Sequence, residues 1–166
     1  MYTIISATNR IGSHSEKVAS KYQLILKAKG INSQLFSLKN LNVLEKNDDF
    51  SSAEKEFLIP AEKFIFIMPE YNGSYPGVLK AMIDISDIKE SWWHKKALLV
   101  GVSTGRAGNL RGMDHITGSL NHMRIIVHPN KLPLSNIDKI MDEDGTITDK
   151  DTLQAMDQQV TEFINF

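Results

Sequence analysis

Cysteine is absent from the 166 residues, which excludes disulfides, thiolate catalysis and cysteine-ligated zinc or iron–sulfur centres by composition alone. No stretch approaches the roughly 18 consecutive apolar residues of a membrane helix, and no basic n-region with an apolar h-region precedes Tyr2-Thr3-Ile4-Ile5. A soluble cytoplasmic protein is the expectation. Blocks of like charge are missing too, and a formal net charge of -1 gives no electrostatic case for nucleic acid or an anionic membrane as partner. The chain lacks the Gly-x-x-x-x-Gly-Lys-Ser/Thr loop of nucleoside triphosphatases, the Gly-x-Gly-x-x-Gly of dinucleotide folds and the Gly-x-Ser-x-Gly nucleophile elbow. Metal spacing is equally poor. Asp142-x-Asp144-Gly145 would put Ile140 at the first ligand position of a calcium loop, and His115 and His122 have no third ligand, so no metal is expected and the two histidines read as surface or interface residues. Ser13 beside His14 is no triad, since sequence neighbours rarely face each other in catalytic geometry.

What remains is an ordinary globular composition, 42% hydrophobic and 23% charged, suited to one domain spanning residues 1–166. The most informative stretch starts with five consecutive apolar residues, Phe64 to Met68, the pattern of a strand buried on both faces. Pro69 lacks an N–H and should end that strand, and the polar, glycine-containing segment to Tyr75 reads as a loop at its carboxyl end. Pro76 suits the first turn of a helix whose buried face carries Val78, Leu79, Met82 and Ile83.

The same strand–loop–helix unit recurs. Tyr2 to Ile5 leads into Ser6-Ala7-Thr8-Asn9-Arg10-Ile11-Gly12-Ser13-His14-Ser15, dense in hydroxyls and turn formers, and then into a helix with Val18, Tyr22, Ile25 and Leu26, stopped by Gly30. Gln34-Leu35-Phe36 predicts a second strand; Lys39 to Phe50 carries no clear pattern. Ser51 or Ser52 is placed to start a short helix before Pro60. Ala97 to Val102 predicts another buried strand, followed by the loop Ser103-Thr104-Gly105-Arg106-Ala107-Gly108-Asn109 and a helix with Leu110, Met113, Ile116 and Leu120 on one side. Ile125-Ile126-Val127 is the fifth strand. Thr148 with Asp151 has the spacing of a helix start for the final amphipathic segment carrying Leu153, Met156, Val160, Phe163 and Ile164. Trp92 and Trp93 fall in the connection between residues 84 and 96, where they serve either a subunit contact or internal packing. Five strands alternating with helices imply an α/β, doubly wound parallel sheet of the flavodoxin-like order 2-1-3-4-5, helices on both faces.

That topology brings the loops after strands 1, 3 and 4 to one edge of the sheet, at the switch point where ligands bind. The first loop offers Ser6, Thr8, Ser13 and Ser15 hydroxyls, the Arg10 cation and the N–H groups of a helix start, a donor set that suits a phosphate monoester. The second supplies the Tyr71 ring, the Asn72 amide and a close backbone approach at Gly73, which suit a planar heterocycle; the third adds Ser103, Thr104, Gly105 and Arg106.

At these residues the sequence resembles the NADPH-dependent FMN reductase family, whose members include quinone, azo-dye and chromate reductases. Pro69-Glu70-Tyr71-Asn72-Gly73-Ser74-x-Pro76-Gly77-x-Leu79-Lys80-x-x-Ile83-Asp84 is similar to the most specific family signature. The first loop keeps Arg10, Ser13 and Lys17 of the pattern Ser-Gly-Ser-x-Arg-x-x-Ser-x-Asn-x-Lys, with Ala7, Thr8 and Ser15 as departures. The third resembles Ser-Gly-Gly-Arg-Gly-Gly, with Thr104 and Ala107 in place of glycines. The resemblance implies FMN, its phosphate in the first loop, its isoalloxazine against Pro69, Glu70, Tyr71, Asn72 and Gly73, and its other edge near Ser103 to Arg106. It further implies NADPH or NADH as cosubstrate, a small-molecule acceptor such as free flavin, quinone, azo compound or chromate, no catalytic side chain beyond the flavin, and a homodimer or homotetramer. A flavodoxin-type electron carrier and a nonredox phosphate-ligand module are the alternatives; the small net charge argues against the carrier, which needs a strongly acidic docking surface.

Overall fold

A computed structural model describes all of residues 1–166. In chain order the elements are β1 (Tyr2–Ser6), α1 (His14–Ala28), β2 (Ser33–Ser37), α2 (Asp48–Ala53) running into a π-helical turn (Glu54–Leu58), β3 (Lys63–Pro69), α3 (Gly77–Ile85) and α4 (Ile88–Trp92). They continue as β4 (Lys96–Val102), α5 (Leu110–His122), β5 (Ile126–Val127), β6 (Leu132–Leu134), α6 (Ile137–Ile140) and α7 (Lys150–Asn165). The strands form one parallel sheet in the order β2-β1-β3-β4-β5, with β6 also pairing β4.

Because successive side chains of a strand point to opposite faces, the unbroken apolar runs of β3 and β4 feed two cores at once. Phe64, Phe66, Met68, Ala97 and Leu99 pack on one face with Leu79 and Met82 of α3 and Met113, Ile116 and Leu120 of α5. Ile65, Ile67, Leu98 and Val100 pack on the other with Val18, Tyr22 and Leu26 of α1 and Met156, Val160 and Phe163 of α7. Parallel crossovers require both layers, and this arrangement places every β-to-α loop at the carboxyl edge.

Local departures from the sequence reading have identifiable causes. The fifth strand is interrupted: β5 pairs Lys96 and Ala97 with Ile126 and Val127, whereas β6 pairs Val100 to Val102 with Leu132 to Leu134, so two extra residues are accommodated between them. Pro129 in that interval has no N–H for the ladder. Pro69 is the last residue of β3, opposite Val102 and beyond the end of β1, where its missing donor has no partner to lose. Pro76 is the N-cap of α3 rather than a first-turn residue. The short helix before Pro60 starts earlier than Ser51, capped by the Asn47 side chain accepting from Phe50 N–H at 2.8 Å. Asp149, not Thr148, caps α7, accepting from Thr152 N–H at 2.8 Å. Trp92 is fully buried against Phe64 and Phe66, with its indole N–H donating to Ser86 Oγ at 2.6 Å, so it is an internal packing residue. Trp93 is half-buried under the Arg124 guanidinium, 4.1 Å from its ring centre.

The π-helical turn is anchored by Glu54, whose carboxylate pairs with Lys46 at 2.9 Å and accepts from Asp87 N–H at 2.5 Å and Ser91 Oγ at 3.0 Å. Burial raises the pKa of this carboxyl, but those three partners together hold it below its ordinary value. At the amino edge of the sheet three lysines donate to helix-terminal carbonyls, which have no intrahelical partner. Lys63 Nζ reaches Phe163 O at 2.9 Å and Ile164 O at 3.0 Å, Lys95 Nζ reaches Leu58 O at 2.8 Å and Ile59 O at 2.9 Å, and Lys96 Nζ bonds Phe166 O. Burial pushes the Lys95 ammonium down to about 8.

Candidate functional site at the carboxyl edge

The loops after β1, β3 and β4 enclose a cleft of about 570 Å³, within the range of small-molecule sites. Arg10, Ser13, Ser15, Pro69, Glu70, Tyr71, Asn72, Gly73, Ser103, Thr104, Gly105 and Arg106 all line it. Ser6 and Thr8, selected from the sequence as ligand hydroxyls, instead lie buried beneath it. Thr8 Oγ1 is 2.5 Å from the Tyr71 hydroxyl and accepts from Arg10 N–H at 3.1 Å, so it ties the first loop to the second.

The second loop is a tight hairpin. Tyr71 and Ser74 exchange backbone bonds of 2.9 and 3.1 Å, while Asn72 (φ 52°) and Gly73 (φ 76°) occupy the two left-handed positions of a type I′ turn. Asn-Gly is the pair this turn favours, because both central residues require positive φ. Asn72 therefore sets the loop's shape through its backbone, and its side chain is exposed. The Arg10 guanidinium lies over the Tyr71 ring, 4.0 Å from its centre, a cation–π contact across the cleft mouth.

Hydroxyls in the other loops are partly engaged. Ser13 Oγ caps α1 by accepting from Glu16 N–H at 3.3 Å. Ser103 Oγ accepts from Gly108 N–H at 2.9 Å and donates to Gly105 O at 2.7 Å, closing the third loop on itself. Ser15 Oγ and Ser6 Oγ are buried without a partner. Such orphans are uncommon in folded proteins, and Ser15 sits in the first turn of α1, where backbone N–H groups also lack intrahelical acceptors. Ser15, these N–H groups and Arg10, which makes no ion pair, form a donor set that fits a phosphate monoester. Ala7, Thr104 and Ala107 stand where the related pattern has glycine, yet none has positive φ, so the loops keep their shape without it. Ala7 N–H continues the ladder to Ile67 O at 2.9 Å.

Three structural supports escaped the sequence reading. Asn109, buried with φ 60°, donates from Nδ2 to Met68 O at 3.1 Å and Pro69 O at 3.0 Å, and its N–H donates to Glu70 Oε2 at 3.2 Å. It thereby locks the third loop to the end of β3. His14 Nε2 lies 2.8 Å from Asp138 Oδ1, joining α1 to α6, and Ile137 beside Asp138 lines the cleft. Gly101 lets the third loop cross the end of β4, since a Cβ there would collide with Gly108 O. An asparagine before a helix is a visible cap signal, but its bonds to β3 are tertiary, and no spacing rule joins residues 14 and 138.

Comparison with known proteins identifies related chains. The family model described as NADPH-dependent FMN reductase matches residues 2–139. An NAD(P)H-dependent FMN reductase of Pseudomonas aeruginosa is 31% identical over 111 residues, 64% of this chain. A 2-hydroxy-1,4-benzoquinone reductase of a Burkholderia species is 26% identical over 108 residues, 63% of this chain. The matched region spans 59% of the length of each of these two relatives. Among solved structures, the flavoenzyme NAD(P)H:(acceptor) oxidoreductase of Paracoccus denitrificans superposes with a TM-score of 0.79 at 22% identity, over 99% of this chain and 94% of that one. All three cleft loops fall inside the matched residues, and with 2–139 accounted for the chain belongs to the NADPH-dependent FMN reductase family.

Proposed function

We propose that residues 1–166 act as one FMN-binding domain of an NAD(P)H-dependent oxidoreductase, passing hydride from NADPH or NADH through FMN to a small-molecule acceptor. The observation that carries this reading is the cleft itself: an orphaned Ser15 hydroxyl and free first-turn N–H groups, beside them Arg10, without a carboxylate partner and lying over the Tyr71 ring, and the rigid Tyr71-Asn72-Gly73 hairpin that Arg10 meets. Family membership supports the same ligand. Arg10, Ser13 and Ser15 with the α1 N-terminus hold the phosphate. Pro69, Glu70, Tyr71, Asn72 and Gly73 border the ring, Thr8 fixes Tyr71 in place, and Ser103, Thr104, Gly105 and Arg106 form the opposite wall. Ser6 supports the first loop from below. When bound, FMN accepts a hydride from the nicotinamide and delivers electrons to the acceptor. The chain's own side chains orient that group and need supply no nucleophile or proton. Quinones are the acceptor class favoured by the benzoquinone reductase relative, with free flavin, azo compounds and chromate as further candidates. The reading includes a homodimer or homotetramer in the cytoplasm; no helix is long and apolar enough to cross a membrane.

The test is spectroscopic. Protein incubated with FMN and desalted retains a yellow chromophore that NADPH or NADH bleaches anaerobically, far faster than either bleaches free FMN, and a quinone restores the colour. A colourless protein after desalting refutes the cofactor assignment. A yellow protein that neither nicotinamide reduces supports the electron-carrier alternative instead.

A further inference from the structure

The assignment above uses Arg10 for the FMN phosphate and leaves a second arginine, with a histidine beside it, unexplained. Arg111 and His115 stand one turn apart on the exposed face of α5, the i, i+4 spacing that places two side chains side by side. Both meet the second loop. The Arg111 guanidinium carbon lies 3.6 Å from where a Cβ on Gly73 would stand, and His115 Nδ1 is 2.9 Å from Ser74 Oγ. Arg111 makes no ion pair, and Asp114, the carboxylate between the two, is engaged by Lys131 at 2.8 Å. The Ser74 bond orients the imidazole and leaves Nε2 without a protein partner. A guanidinium, an oriented imidazole and a serine hydroxyl thus converge beside Gly73, at the rim of the cleft and outside it.

We infer that Arg111 and His115, oriented through Ser74, form an anion seat for a phosphoryl group of the nicotinamide dinucleotide. This rests on the proposed hydride transfer to FMN. FMN has a single phosphate, and the α1 N-terminus with Arg10 already provides for it. The hydride donor must lay its nicotinamide on the ring beside Tyr71 while its phosphates extend outward, and the Gly73 side of the cleft carries unpaired cationic capacity to receive them. Arg fits this role through its fixed fork of donors, and the glycine leaves room for the guanidinium to lie against the turn. NADPH and NADH share the bridging pyrophosphate and differ in the 2′-phosphate, so the seat's preference between them identifies which group it holds.

Arg111→Ala, Arg111→Lys and His115→Gln, all at exposed positions, are compared with wild type on NADPH, NADH and 1-benzyl-1,4-dihydronicotinamide, a donor without phosphate. Binding of non-reducing NADP⁺ to the FMN-loaded protein is titrated calorimetrically in parallel. Arg111→Ala is expected to raise the KM for NADPH relative to the phosphate-free donor about tenfold, to weaken NADP⁺ about tenfold, and to flatten its salt dependence, with Arg111→Lys intermediate. A loss confined to NADPH identifies the 2′-phosphate; equal losses for NADPH and NADH identify the pyrophosphate. Equal changes for all three donors, or none for any, overturn the seat while leaving flavin reduction intact. Failure of wild type to retain FMN, or to reduce it with any donor, refutes the parent reading instead.

Discussion

The two edges of the sheet use cations in opposite ways. At the amino edge Lys63, Lys95 and Lys96 are each bonded to carbonyls at the ends of α7 or the π-helical turn, so terminal backbone groups of the fold are satisfied by the fold itself. At the carboxyl edge Arg10, Arg106 and Arg111 make no ion pair, Ser15 Oγ has no partner, and Asn72, Gly73, Gly108 and Asn109 hold positive φ. Helix C-termini present carbonyl acceptors at the first edge and helix N-termini present N–H donors at the second, yet only the first edge is closed by the fold's own side chains. Unsatisfied donors retained beside a cleft are costly to stability, and their concentration at one edge is what separates a binding surface from a structural one.

The comparison breaks most visibly at Asn109, a carboxyl-edge residue whose bonds hold the fold together. Asn109→Ala removes both donors from the Met68 and Pro69 carbonyls and is expected to lower unfolding free energy by about 2–4 kcal/mol in urea titrations, with loss of FMN retention. Arg10→Ala is the opposite case. Thermal stability should stay within about 0.5 kcal/mol of wild type, as for exposed substitutions generally. FMN should weaken about tenfold more than riboflavin, which has the same ring without the phosphate, and the difference should shrink as salt rises. Equal losses for both flavins would show that Arg10 supports the loop through Tyr71 rather than binding the phosphate.

Lys95→Met sharpens the amino edge with the smallest expected effect. At pH 7 the lost carbonyl bonds are offset by relief of a partly buried charge, leaving a change of about 1 kcal/mol or less and unaltered FMN retention. The pH dependence carries more information. With its ammonium pushed down to about 8 from an ordinary 10.5, the folded protein releases this proton before the unfolded chain does. Between those values the unfolded state binds more protons, so wild type gains stability relative to Lys95→Met as pH rises from 8 toward 10.5, and gains none below 8. Parallel stability curves for the two proteins across that window would contradict the shift.

Much of this architecture was legible because burial on two faces writes itself into the chain. Phe64 to Met68 and Ala97 to Val102 read as central strands without any partner in view, and Gly30 stands where α1 has ended. The three cleft loops followed from topology. Less legible were features whose cause lies elsewhere in space. Leu132-Pro133-Leu134 is short and carries a proline, so nothing in it marks a strand until β4 is beside it, and Asn47 caps a helix in a stretch with no apolar period. Thr8 reads from the sequence as a ligand hydroxyl because hydroxyls after a first strand suit phosphate; its partner in the structure, Tyr71, is in another loop. Composition identifies a donor, whereas only the fold identifies its acceptor.

The interruption between β5 and β6 also has a rule of parity within it. Side chains on a strand change face at every residue, so an insertion of two leaves each later residue on its original side, while an insertion of one would exchange them all. Val127 packs on the α3/α5 side and Leu132 and Leu134 on the α1/α7 side, matching their partners Ala97, Val100 and Val102 across the gap. The segment around Pro129 therefore absorbs two extra residues while leaving Val127, Leu132 and Leu134 in the layers of their partners.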